Sequence, residues 1–264
     1  MRFHSTGPSI PDILLERCDA GRVVFLCGAG VSQPSGMPSF IGLTRHVIEF
    51  YDPPDGSEIS TAFQPWLEDA SAANVPLDQI FNLLHQEYGK DEVNALVTER
   101  LSASTESEVA GREHNLIKRI SSNQSGVPQI VTTNFDLLFE AGADGEQLIR
   151  HVPPAFPDLN FGSSIEGITY LHGRLVEPHS QHHPYVLSSA DFGRAYLSEG
   201  WATNFVRNLI ELYTVVLVGY QAEDPPIKYL LQGALLHKSG PDRRSPFPGR
   251  IYPTASVIGI PSAV

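Results

Sequence analysis

The chain has 264 residues, 41% hydrophobic and 18% charged, enough to bury the core of one globular domain with room for an insert. Its formal net charge of -12 excludes a broad basic face for DNA or RNA, so direct nucleic-acid binding is not expected. Two cysteines, Cys18 and Cys27, exclude a disulfide framework, and no run approaches the roughly 20 apolar residues a bilayer span needs, so a soluble cytoplasmic protein with no membrane partner is expected.

Pro11 to Cys18 carries Ile13, Leu14 and Leu15 at helix-like spacing and leads through Asp19-Ala20-Gly21 into a strand, Val23 to Cys27. A loop, Gly28-Ala29-Gly30-Val31-Ser32, follows. The next helix is expected over Leu43 to Tyr51, and Asp52 to Gly56 must break it because its two prolines remove backbone donors. From Pro76 to Leu101, the apolar residues Leu77, Ile80, Leu83 and Leu84, then Val93, Leu96 and Val97, recur at helical spacing. A helical insert is therefore expected at about residues 52 to 110 of a single domain.

Glu113 to Ile120 reads as a helix with Leu116, Ile117 and Ile120 on one face, feeding a second strand, Gln129 to Thr133. Further strands are expected at Ile168 to Leu171, at an edge over Tyr185 to Leu187, and at Thr214 to Val218. Helices over Trp201 to Leu212 and Pro226 to Leu236 flank the last of these, and Ile251 to Ile260 reads as a final strand. A continuation of the native chain past Val264 is left open. Apolar strands alternating with helices predict an α/β fold, a Rossmann-like parallel sheet covered by helices on both faces.

Chemistry is concentrated where the predicted strands end, the place where open α/β sheets bind ligands. Glycines at 28 and 30 would let the backbone approach a phosphate, with amide donors at a following helix start. The spacing departs from the usual G-x-G-x-x-G, because its third glycine position falls on Gln33, and a plain strand-to-helix turn remains the alternative. Thr132, Thr133, Asn134 and Asp136 either cap a helix or meet a ligand. His172, alone at a strand end, is as a residue type more often structural than catalytic. Ser188-Ser189-Ala190-Asp191 reads as a helix N-terminus, and Cys27 as core packing.

In order along the chain, GAGVSQPSGMPSF at 28 to 40, EHNLIKRI at 113 to 120, TTNFD at 132 to 136, LHG at 171 to 173 and VLVGYQAED at 216 to 224 resemble the motifs of the sirtuin family. The likeness is to its bacterial NAD-hydrolysing branch and covers about residues 11 to 237. It implies that Gly28, Ala29, Gly30, Ser32, Thr133, Asp136, Gly219 and Tyr220 bind NAD. Asn134 and Asp136 would hold the nicotinamide ribose and carboxamide, and Asn134 and His172 would be the catalytic pair, His172 serving as the base near the ribose hydroxyls. In related bacterial proteins this domain is the effector of antiphage defence, in some cases beside a short Argonaute. A defence partner and an active oligomer are thus expectations.

Departures from the family's deacylases set the expected reaction. Ser39-Phe40-Ile41 stands where those enzymes carry Asp-Phe-Arg, Thr133 replaces Gln, and Tyr220-Gln221 replaces Thr-Ser. The paired Cys-x-x-Cys zinc module and the Phe-Gly-Glu segment of the acyl-lysine groove are missing from the sequence. Water is then the expected acceptor, giving an NAD glycohydrolase with NAD as substrate and no metal. A protein deacylase or ADP-ribosyl transferase, and a module that senses NAD or ADP-ribose without turnover, are the alternatives. The histidine-rich stretch Pro178 to His183 reads as a solvated loop rather than a metal site.

Overall fold

The computed structural model describes residues 10–104, 111–141, 148–160, 165–177, 180, 182–220, 225–237 and 251–253. Six strands, β1 (Val23–Cys27), β2 (Gln129–Thr132), β3 (Arg150–His151), β4 (Gly167–Tyr170), β5 (Thr214–Val218) and β6 (Ile251–Pro253), form one sheet in the order β3-β4-β2-β1-β5-β6. Every pairing is parallel. Parallel strands need covered faces, which is why β1 reads VVFLC and is buried throughout.

Alternation along the strands sorts the core into two layers. Val24, Leu26, Val131, Val215 and Leu217 point to the side covered by α8 (Trp201–Leu212) and α9 (Pro225–His237). Val23, Phe25, Cys27, Ile130, Ile168 and Val216 point to the other, where Leu14 of α1 (Asp12–Asp19) and Ile117 of α6 (Arg112–Ser121) meet them. The fold is therefore a Rossmann-like α/β sheet with helices on both faces.

A third core lies among α2 (Phe40–Tyr51), α3 (Glu58–Glu68), α4 (Leu77–Tyr88) and α5 (Lys90–Ser104). Val47, Phe63, Ile80, Phe81, Leu84, Val93 and Val97 fill it, at spacings that give each helix one apolar stripe. Leu138, from the loop after β2, and Leu175, Tyr185 and Leu187, from the segment after β4, complete the same cluster. This helical layer thus packs directly on the chain segments that leave the sheet.

Several expectations need correction. On α6 the buried face is His114, Ile117 and Ser121, while Leu116 and Ile120 are 59% and 54% exposed. Tyr185 to Leu187 forms no strand: it is buried, with the Val186 amide bonded to the His172 carbonyl, and the edge position belongs to Arg150–His151. The expected final strand is described only at Ile251–Pro253, and its remainder lies outside the described residues. Helix α3 lies within the expected helical insert and buries Ile59, Ala62 and Phe63, with Pro65 inside it.

Candidate active site

Strand register brings the chemistry-bearing loops together. Cys27 pairs with Thr132 on one side and Val218 on the other, and Thr132 pairs with Tyr170. The next residues out, Gly28, Thr133, Gly219 and Leu171, therefore leave the sheet at one level. The chain runs from β1 to β2 and β4 on one side and returns to β5 on the other, so β1 marks the topological switch point, where such sheets open a crevice.

The loops after β1 and β5 are packed backbone to backbone. Gly28 donates to the Val218 carbonyl at 3.0 Å and Gly30 to the Gly219 carbonyl at 2.9 Å. A Cβ on Gly28 would lie 2.7 Å from the Tyr220 ring and 2.8 Å from the Gly219 carbonyl oxygen, so this contact alone demands glycine. Ala29 and Gly30 are exposed. The expected array of phosphate-facing amides is corrected accordingly: the amides of Gly28, Gly30, Val31 and Ser32 all donate to carbonyls of the chain itself. No α-helix begins here either, since the segment passes through two short 3-10 turns and α2 starts only at Phe40, capped by Ser39. Residues 221–224 of the late motif lie outside the described residues.

Beside these loops lies a buried polar set. The Asn134 side-chain amide donates to the Gly28 carbonyl at 3.1 Å and to Ser32 Oγ at 2.9 Å. Ser32 Oγ also lies 3.0 Å from His114 Nε2. Ser32, Asn134, Asp136 and His114 are 1%, 8%, 4% and 0% exposed. Burial pushes the Asp136 carboxyl above its ordinary range, opposed by a hydrogen bond from the Leu138 amide at 3.1 Å. Burial, and to a lesser extent Lys118, pushes His114 down to about 4, so its ring is neutral near pH 7. Asn134 is thus not a helix cap; its amide ties the β2 loop to the β1 loop. Thr133, half-buried, joins the same two strands by donating its backbone N–H to the Cys27 carbonyl at 3.1 Å.

His172 stands two residues beyond β4, next to the β2 loop in the sheet order. Its Nε2 lies 2.8 Å from the Tyr196 hydroxyl, and its ring packs edge-on to Phe192. Tyr196 belongs to a π-helical turn, Arg194–Ser198, that follows α7 (Ser189–Gly193). Such turns break the regular ladder and often mark functional positions. The sequence reading missed Tyr196, for which no periodic signal exists. It also missed the role of His114, which its place on the Ile117 face of α6 could have revealed.

The loop from Asn134 onward is anchored at its far end by Glu140, which accepts hydrogen bonds from Arg174, Arg150 and the Tyr170 hydroxyl. Burial alone would raise its carboxyl, but these donors hold it down at about 2. Asp191 forms a capping box with Ser188, as the sequence indicated, and pairs with Lys90 and Arg194 beside a cavity of about 360 Å³. That cavity is separate from the strand-end site, and both its cations already face a carboxylate. His183 departs from the solvated-loop reading: it is buried, with Nδ1 2.8 Å from Thr98 Oγ1, while Pro178, His179 and Gln181 lie outside the described residues. Cys27 packs in the core, and burial raises its thiol beyond reactivity.

Among the described residues no cluster of three or more His, Cys, Asp or Glu could hold a metal ion, and no helix is long and apolar enough to cross a membrane. Residues 128–247 match the family described as "SIR2-like domain", which supports a sirtuin-like family and, with it, NAD-related enzyme chemistry in general. Over 276 aligned positions, all of this chain, the sequence is 34% identical to "Uncharacterized protein y4cA" of Sinorhizobium fredii. The chain spans 21% of that relative's length.

Proposed function

We propose that this domain is an NAD glycohydrolase, splitting NAD into nicotinamide and ADP-ribose with water as the acceptor. The observation that carries the reading is the burial of Ser32, Asn134 and Asp136 at the strand ends, Asn134 donating to Ser32, with His172 just beyond the adjacent strand β4. The donor set suits the ligand. Asp136 can accept from the nicotinamide carboxamide, Asn134 can orient the ribose and the incoming water, and the exposed Ala29 and Gly30 lie beside them for the diphosphate half.

In this reaction the bond between nicotinamide and ribose C1′ breaks, its electron pair leaves with nicotinamide, and positive charge develops on the ribose ring. Water attacks C1′ and gives up a proton to His172, whose ring Tyr196 holds in place. The site needs to position a cationic reactant rather than supply a strong nucleophile, and the buried polar set suits that role. Nothing in the sequence supplies the acyl-lysine groove of the family's deacylases, which favours water. Because cytoplasmic NAD loss is toxic, we read the domain as a regulated effector of antiphage defence, active as an oligomer or with a partner such as a short Argonaute. The acidic charge of -12 favours a protein partner over direct nucleic-acid contact.

A second reading has one observation in its favour: both protons of the Asn134 amide are spent within the chain. That suits a module that binds NAD or ADP-ribose without cleaving it. Incubation with NAD, with and without an acyl-lysine peptide, separates the readings. Nicotinamide and ADP-ribose formed without peptide support the hydrolase. Products that require peptide make it a deacylase. Intact NAD that still raises the melting temperature makes it a sensor.

A further inference from the structure

We propose that the cavity between α4, α5 and α7 is a second ligand site, suited to a small phosphorylated molecule that also carries a hydroxyl group. Its lining residues are separate from those of the strand-end site, and nothing in it depends on whether the domain cleaves NAD.

Two cations line it. Lys90, at the start of α5, and Arg194, at the start of the π-helical turn, both donate to the same oxygen of Asp191, Oδ1. The other oxygen accepts from the Ser188 hydroxyl at 2.8 Å and the Ser188 amide at 3.2 Å. One buried carboxylate thus serves two cations and leaves the cavity wall with net positive charge. Glu199, 4.0 Å from Arg194 Nε, and Asp91, next to Lys90 in the chain, are both exposed, so solvent screens them. An ammonium has three N–H groups and a guanidinium five, and Asp191 receives one from each. The rest have no hydrogen-bond acceptor among the described residues. A phosphate offers the several acceptor oxygens that such a set of donors needs.

Helix α4 contributes two neutral groups, Asn82 and His85, half-buried and one turn apart. Asn94 settles which ring nitrogen of His85 holds the proton. The His183 carbonyl can only accept, so the Asn94 side-chain nitrogen, 2.9 Å away, faces it and the amide oxygen faces His85. That oxygen also can only accept, so His85 Nε2, 3.0 Å from it, is protonated. Burial lowers the basicity of the ring, and in the neutral form Nδ1 is a lone pair. Neither Nδ1 nor the Asn82 amide has a hydrogen-bond partner among the described residues. The lone pair calls for a donor and the amide N–H for an acceptor; one hydroxyl can be both.

Size agrees with this pairing of groups. The cavity holds about 360 Å³, at the small end of ligand pockets. Inorganic phosphate alone would meet Lys90 and Arg194 and leave Asn82 and His85 unsatisfied. A sugar phosphate brings the anion to the cations and a hydroxyl to α4.

Calorimetry with ribose 5-phosphate, inorganic phosphate and ribose as probes tests the site. Ribose 5-phosphate should bind once per chain and at least about tenfold tighter than either other probe. Arg194→Gln should weaken it about tenfold and Asn82→Ala about fivefold, the worth of one charged and one neutral hydrogen bond, with both variants confirmed as folded by their melting curves. Asn134→Ala and saturating NAD should leave the affinity unchanged. With ¹⁵N-labelled histidine, NMR near neutral pH should show His85 as a neutral Nε2–H ring whose Nδ1 signal moves on adding ribose 5-phosphate. Binding lost in Asn134→Ala or displaced by NAD puts the probe at the strand ends and overturns the proposal. No binding, binding that survives both cavity variants, or an unmoved His85 signal overturns it too, and inorganic phosphate binding as tightly as ribose 5-phosphate overturns the ligand class. If the wild type cleaves no NAD, the hydrolase reading fails while these measurements still decide the cavity.

Discussion

Gly30 and Gly219 are joined by a 2.9 Å hydrogen bond from the amide of the first to the carbonyl of the second, locking the loops after β1 and β5 against each other. Gly219 has a φ of +57°, and a Cβ there would stand 2.5 Å from the Val31 nitrogen. Gly219→Ala combines backbone strain with a collision against main chain that cannot swing away. A destabilisation of about 2 kcal/mol is expected, together with weakened NAD binding. Urea unfolding checks the first and calorimetry the second; a wild-type midpoint would contradict this packing.

Tyr196→Phe removes the hydroxyl beside His172 Nε2 while leaving a ring of nearly the same size. Turnover should fall about tenfold with KM little changed, because the imidazole loses a partner rather than the site losing NAD contacts. A rise in KM at constant kcat would assign Tyr196 to binding instead.

Glu140 gives a pH signature. Its carboxyl lies at about 2 in the folded chain against 4.5 as its ordinary value, so its contribution is fully present above pH 4.5 and is lost as the pH falls towards 2. Glu140→Gln leaves Arg150 and Arg174 facing a neutral amide and should cost about 2 kcal/mol at pH 7. The gap in urea midpoint between wild type and variant should narrow below pH 4. A gap that stays constant with pH would show that the anchor is not electrostatic.

His114 titrates in the opposite sense to an ion-paired histidine. With its folded value down at about 4 against 6.5, the unfolded chain binds the proton first, so stability is full above pH 6.5 and falls as the pH drops towards 4. Lys118 on the same helix disfavours the charged ring. The loss should approach about 3 kcal/mol, and His114→Leu should flatten that part of the profile. A variant whose stability falls as steeply as the wild type over this range would contradict a neutral buried ring.

How far the sequence was legible follows from what each residue is asked to do. β1, β5 and α8 were readable because burial on both faces or on one stripe leaves an apolar pattern, as in Val23–Cys27 and Trp201–Leu212. Strand β3 was not, since two polar residues at a sheet edge have nothing to bury. On α6 the apolar count misled, because a histidine and a serine occupy the buried face with Ile117 while Leu116 and Ile120 face outward. The strand-end motifs were found by their order along the chain. That the first loop's amides are spent on Val218, Gly219 and the loop's own carbonyls depends on contacts between segments almost 190 residues apart, which no local pattern encodes. Tyr196 was invisible for the same reason.

The most direct test of the account is the rate of nicotinamide release from NAD by the wild type, Asn134→Ala and His172→Ala, each confirmed as folded by its melting curve and assayed both dilute and concentrated. The account predicts nicotinamide and ADP-ribose in equal amounts from the wild type, and a fall of at least about a hundredfold in both variants. Release that survives in either variant, or a wild type that binds NAD and leaves it intact at every concentration, would contradict hydrolysis at this site.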